Sequence, residues 1–273
     1  MKVALCLHGY AANAGGLQAA FAGNEYIKRK LLYDNDVDVF VHSWDLANES
    51  TIKFMYPLTD FVFEKQNNFD EELKKFDETW FNEKFNRNET MFKNNTIFRG
   101  LSFLYSRYRA VQIKNDYQKK HNVKYDCTFL GRFDLGTRGK EHPQKYYATN
   151  FNFLKDSDMS KLHCAYWDQF NHGFPDHWFY SNDENITTVA DLYNSVFKYY
   201  QPSSDYVDSV LNGWIDSDED DIFSNEMLRE NKSKKLKEWS KWECVDNHKL
   251  YKWHFYQNNL HDNLCLVDIT KDL

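Results

Sequence analysis

Apolar residues run unbroken from Val3 to Leu7, with Lys2 before them and His8-Gly9 after. A short apolar run bounded by turn residues predicts a strand buried on both faces. It opens into Gly9-Tyr10-Ala11-Ala12-Asn13-Ala14-Gly15-Gly16, a small-residue loop that lets a ligand approach the backbone closely; an ordinary strand-to-helix turn reads the same way. Val37 to His42 predicts a second strand, and Ser43-Trp44-Asp45 sits at its carboxyl end, where open parallel sheets carry their ligands. Residues 50 to 95 are aromatic, charged and poorly periodic and are expected to be mixed helix and loop covering the sheet.

From Arg99 to Lys120 the period changes. Leu101, Leu104, Tyr105, Tyr108 and Val111 share one stripe, with Ser102, Ser106 and Arg109 on an adjacent strip, as an amphipathic helix requires. Tyr125 to Gly131 predicts another strand, ending in Arg132-Phe133-Asp134-Leu135. Ser181 with Glu184 has the spacing of a capping box. Ile186, Val189, Ala190, Tyr193, Val196, Phe197 and Tyr200 then form the core face of a helix. A second helical stretch is expected from Asn225-Glu226, Lys232 to Trp242 is basic and amphipathic, and Leu264 to Val267 reads as a strand. Strand, helix, strand alternation favours an α/β domain with a mostly parallel sheet.

Composition narrows the function. A net charge of −7 argues against a surface that grips nucleic acid everywhere, though not against a local basic face such as Lys232 to Lys241. Phe, Trp and Tyr make up 18% of the chain, which serves core packing or a site that stacks on bases or sugars. Cys6, Cys127, Cys164, Cys244 and Cys265 are dispersed without a C-x-x-C pair, a pattern of reduced structural thiols that leads us to expect a cytoplasmic protein. No apolar run reaches the length of about 18 residues that a membrane span needs. Leu7-His8-Gly9-Tyr10 is reminiscent of a hydrolase oxyanion loop, but the G-x-S-x-G nucleophile elbow that class requires is missing. Asp216, Asp218 and Asp220 hint at a calcium loop, but Asp221 stands at its sixth position and Met227 at its twelfth.

Arg132 and Asp134 stand two apart at the mouth of a buried strand, so they point the same way, as a plain salt bridge or as parts of a site. Several segments together carry a resemblance: Asp38-Val39-Phe40-Val41-His42-Ser43-Trp44-Asp45, Tyr105-Ser106 through Ala110, Arg132-Phe133-Asp134-Leu135, Asp168-Gln169-Phe170 through Gly173, and Asn225-Glu226-Met227-Leu228. In order and spacing they resemble the GT-A-like glycosyltransferases of surface-polysaccharide loci and large phages, with Arg-x-Asp-Leu where an Asp-x-Asp metal motif is usual.

The resemblance covers roughly residues 1 to 230. It implies a Rossmann-like, GT-A-like sheet flanked by helices, a catalytic domain over 1–230, and a C-terminal extension, 231–273, packed on it. It implies a nucleotide-sugar donor, hexosyl or pentosyl transfer, and an acceptor that is a surface glycan or a hydroxylated base in phage DNA. The alternative is a catalytically inactive module that binds glycans or a partner. The expected donor site comprises His8, Gly9, Tyr10, Ala11, Ser43, Trp44, Asp45, Ser106, Arg109 and Arg132. Asp134 is expected near the diphosphate, with a divalent cation (manganese or magnesium) as its possible companion. Arg132, in the place of a carboxylate, is expected to weaken that metal dependence. Asp168, Asp176 and Glu226 are the candidate catalytic bases, Asp168 first; His172 and His254 are candidate metal ligands.

Overall fold

The computed structural model describes residues 1–12, 16–77, 79–80, 97–136, 151–165, 173–211 and 247–267. In chain order its main elements are β1 (Lys2–His8), α1 (Gly16–Ile27), β2 (Asp36–Ser43), α2 (Glu49–Met55), β3 (Leu58–Phe63), α3 (Asp70–Leu73), α4 (Ile97–His121), β4 (Cys127–Arg132), β5 (Leu162–Ala165), β6 (Trp178–Ser181), α5 (Asp183–Ala190), α6 (Leu192–Tyr199), α7 (Asp205–Leu211), α8 (Asn247–Gln257) and β7 (Leu264–Val267).

Among the described residues the strands form one mostly parallel seven-stranded sheet in the order β3-β2-β1-β4-β6-β5-β7. β6 alone opposes the others, pairing antiparallel with both β4 and β5, while β5 and β7 are parallel. The apolar run of β1 follows from its central place. Val3, Leu5 and Leu7 belong to one core with residues of α1 and α2. Ala4 and Cys6 face the other, under Leu101, Leu104 and Val111 of α4. The small side chains on that second face let the long helix approach the sheet.

The chain winds outward from β1 through β2 to β3 and returns on the other side with β4. The carboxyl ends of β1 and β4 therefore flank a topological switch point, the crevice where open α/β sheets hold ligands. Among the described residues no helix is long and apolar enough to cross a membrane.

Two expectations need correction. Residues 58–63, read as part of a helix-and-loop cover, form an edge strand parallel to β2; its charged and aromatic residues are those of a half-exposed edge rather than a buried run. Ser181 is not the cap of the following helix: it ends β6, with Oγ donating to the carbonyls of Met159 and Lys161. Asn182 takes the cap, accepting from the Asn185 N–H at 2.9 Å. Leu264 to Val267, read as a strand, is β7 and lies parallel to β5.

Gly23 ties α1 to the site. A Cβ there would lie 2.1 Å from the Phe133 carbonyl oxygen and 3.0 Å from that of Leu135, so helix and turn meet backbone to backbone. Gly23→Ala should destabilise the protein by about 1–3 kcal/mol through overpacking, measured as a lower urea midpoint; an unchanged midpoint would mean that α1 does not brace the turn after β4.

Candidate functional site

A cleft of about 680 Å³ opens at the switch point, lined by His8, Gly9, Tyr10, Trp44, Gln66, Phe98, Arg99, Ser102, Phe103 and Arg132. Five of the expected donor-site residues, His8, Gly9, Tyr10, Trp44 and Arg132, thus share one cavity. The described lining includes two arginines and no carboxylate, in a chain whose net charge is −7.

The loop after β1 owes its shape to polar groups behind it. Gly9 has φ +94°, with no atom within 4 Å of where a Cβ would stand; glycine is needed for the backbone conformation, and its face is open. The Gly9 N–H is shared between Ser106 Oγ at 2.9 Å and the His42 carbonyl at 3.2 Å. The Gly9 carbonyl accepts from Ser43 Oγ at 2.7 Å. Asp45 accepts from the Ala12 N–H at 2.9 Å and from Asn48 at 2.8 Å.

Ser43, Asp45 and Ser106, expected to touch a donor, are instead buried braces of this turn. Ala11 is wholly buried in the core. Arg109 lies outside the cleft lining, and its charge acts on His42. His42, with Nδ1 2.7 Å from Ser106 and Nε2 3.0 Å from Glu64, is buried, and that burial pushes its pKa down.

Sequence reasoning missed Gln66, Phe98, Arg99 and Phe103. Tyr10 donates its hydroxyl to Gln66 Oε1 at 2.9 Å, and Gln66 Nε2 donates to Ser102 Oγ at 2.8 Å, a polar strap on the cleft wall. Phe98, Arg99, Ser102 and Phe103 come from the first two turns of α4. Ser102 was visible on the polar strip beside the apolar stripe.

Arg132 and Asp134 are a bidentate pair. Nε donates to Oδ1 at 2.8 Å and Nη2 to Oδ2. Burial opposes the Arg132 charge, but Asp134 outweighs it and raises the pKa. Both carboxylate oxygens of Asp134 thus face a guanidinium, a poor surrounding for a divalent cation. Among the described residues no group of three or more His, Cys, Asp or Glu side chains could hold a metal. The described residues do not fit the expected cation site.

His254, the other described metal candidate, packs between the Tyr199 hydroxyl (3.0 Å) and the Thr188 carbonyl (2.7 Å), a structural place. Asp168, His172 and Glu226 lie outside the described residues, as do Asp216 to Asp221 and Lys232 to Trp242.

Behind the cleft lies a buried network. Arg107, fully buried, donates to His8 Nε2, the Tyr251 hydroxyl and the Asp176 carbonyl. Burial alone would raise the Asp176 pKa, but His248, His177 and Arg107 hold it well below the usual carboxylate range. Asp176 is therefore a fixed anion, ill suited to the proton-accepting role first considered for it. No protein-family model, curated protein or solved structure matches this chain significantly.

Two outcomes follow. Ser106→Ala removes an acceptor from Gly9 and a partner from the buried His42 and should cost about 1–3 kcal/mol. Ser102→Ala should cost less in the same urea titration; the reverse order would remove Ser106 as the brace. Burial lowers the pKa values of His8, His42, His163, His177 (to about 3) and His254. Below the unfolded value of about 6.5 the unfolded chain therefore binds more protons than the native one. Stability is full above that pH and falls as pH drops toward the folded values, by up to about 1.4 kcal/mol per pH unit for each histidine. Denaturation midpoints at pH 7.5, 6 and 5 should decline in that order; a flat profile would count against neutral burial.

Proposed function

We propose that this chain is a GT-A-type glycosyltransferase that holds a nucleoside diphosphate sugar in the cleft between the ends of β1 and β4. The observation that carries the reading is the lining itself: two guanidinium groups and a set of aromatic rings, with no carboxylate among the described residues. An anion with a flat or ring-shaped moiety suits such walls. The placement of the cleft at the switch point of a mostly parallel sheet supports the same reading.

In this proposal Arg132, steadied by Asp134, faces the diphosphate and offsets the negative charge that grows there as the glycosidic bond breaks. Arg99 adds a second positive charge. Trp44, Phe98, Phe103 and Tyr10 supply surfaces for base or sugar, and the open face of Gly9 admits close approach. Asp168 remains the proposed proton acceptor for the incoming hydroxyl, with Glu226 second. A surface glycan or a hydroxylated base in phage DNA remains the proposed acceptor. Arg132 in the place of the first Asp of a metal motif favours one alternative, an inactive module that binds the same class of ligand; hydrolysis of a sugar nucleotide by the purified protein separates the two.

Calorimetry against the common nucleoside diphosphates and their sugars should detect binding to at least one. Arg132→Ala should weaken it about 10- to 100-fold, the range for charge-assisted hydrogen bonds. With Arg132 in place of a metal carboxylate, affinity should survive exhaustive chelation and change little on adding manganese or magnesium. No binding by folded protein would sink the proposal; binding only with metal would sink the role given to Arg132.

A further inference from the structure

His8 ends β1, lines the cleft and is 2% exposed. Its Nε2 lies 3.1 Å from Arg107 Nε. A guanidinium donates and cannot accept, so Nε2 must present its lone pair. A neutral imidazole then carries its proton on Nδ1. Arg107 cannot turn away: it is gripped through Tyr251 and the Asp176 carbonyl, and the rings of Phe103, Tyr251 and Phe179 surround it at 4.7, 5.1 and 5.3 Å. Protonating His8 would aim an N–H at the Arg107 N–H. Arg107 from α4, Arg132 from β4 and His42 from β2 all oppose that charge, and Asp176 favours it.

The Nδ1–H this leaves has no hydrogen-bond partner among the described residues. Neither has the buried indole N–H of Trp44, another residue of the cleft lining. Both groups are donors only, and a buried unpaired donor is unfavourable. Two such donors beside two arginines call for a ligand rich in acceptor oxygens. Across the β1–β4 pairing His8 stands opposite Arg132.

We propose that His8 donates its Nδ1–H to an oxygen of the bound diphosphate, and that Arg107 is the positioning residue that fixes this tautomer. The inference rests on the reading of the cleft as a diphosphate site. It makes His8 a neutral donor, not a base, and one that keeps its proton at Nδ1 across the neutral pH range.

Inorganic pyrophosphate is the probe. In protein with 15N-labelled histidine, the His8 signals, assigned by their loss in His8→Asn, should show Nδ1 protonated and Nε2 bare from pH 5.5 to 8.5. Saturating pyrophosphate should move the Nδ1–H resonance. Arg107→Met should let the Nε2–H form appear. His8→Gln places an acceptor near the Nε2 position but no donor near Nδ1; it should lose about tenfold in pyrophosphate affinity. His8→Asn, with an amide donor near the Nδ1 position, should lose less.

If pyrophosphate binds but the Nδ1–H resonance stays still, or Nε2 proves to be the protonated nitrogen, the role of His8 is overturned while the glycosyltransferase reading stands. If neither pyrophosphate nor any nucleoside diphosphate binds the folded protein, both fall together.

Discussion

A guanidinium removed from water keeps its charge, so its N–H groups must be met by protein, and Arg107 imposes that demand on the centre of this molecule. Its partners come from the end of β1, from the segment leading into β6 and from α8. Aromatic rings close over it. Asp176, whose carbonyl serves Arg107, turns its carboxylate to Asn247 and His248 at the start of α8. Withdrawing one member of such a buried charged network costs about 3–5 kcal/mol, so the elements around the cleft are held in one arrangement.

A second set of polar groups does similar work nearer the surface. Ser43, Asp45 and Ser106 hold the backbone of residues 9 to 12, and Asp134 holds Arg132. In each case a polar side chain beside the strand ends, the usual mark of a ligand contact, acts on the protein and leaves the contact to a neighbour. The walls of the cleft are then mainly aromatic and cationic. The acidic balance of the whole chain gives no hint of that local field.

The unbroken run of β1, the period of α4 and the strand before Arg132 were legible because burial on two faces, or on one stripe, leaves a repeating trace. β5 and β6 were not: Leu162–Ala165 and Trp178–Ser181 are four residues each, too short for a period to show, and neither is the plain aliphatic run that betrayed Leu264–Val267. The reversal of β6 is a matter of pairing, which no local pattern records. Strand ends pointed to His8, Gly9, Tyr10, Trp44 and Arg132, which line the cleft. Ser106 and Ser102 sit one turn apart on α4, and only their places along the packed helix decide which one meets the cleft. Arg107 carried a signal that went unread: it falls between Leu104 and Val111, inside the apolar stripe, where a charge has to find partners in the interior.

The order of strands across the sheet also governs when the protein can assemble. β1 pairs with β2 soon after both exist, but its other edge waits for β4, which joins Val3 to Cys127. β5 waits likewise for β7, joining Leu162 to Leu264. Such distant parallel pairings are slow to form, because a long loop must close before any contact rewards it. Until then the apolar flank of β1 has an open row of backbone donors and acceptors, a template for association with other unfinished chains. The strand whose end shapes the cleft is thus also one exposed to misassembly, and yields of folded protein should depend on temperature and chain concentration during refolding.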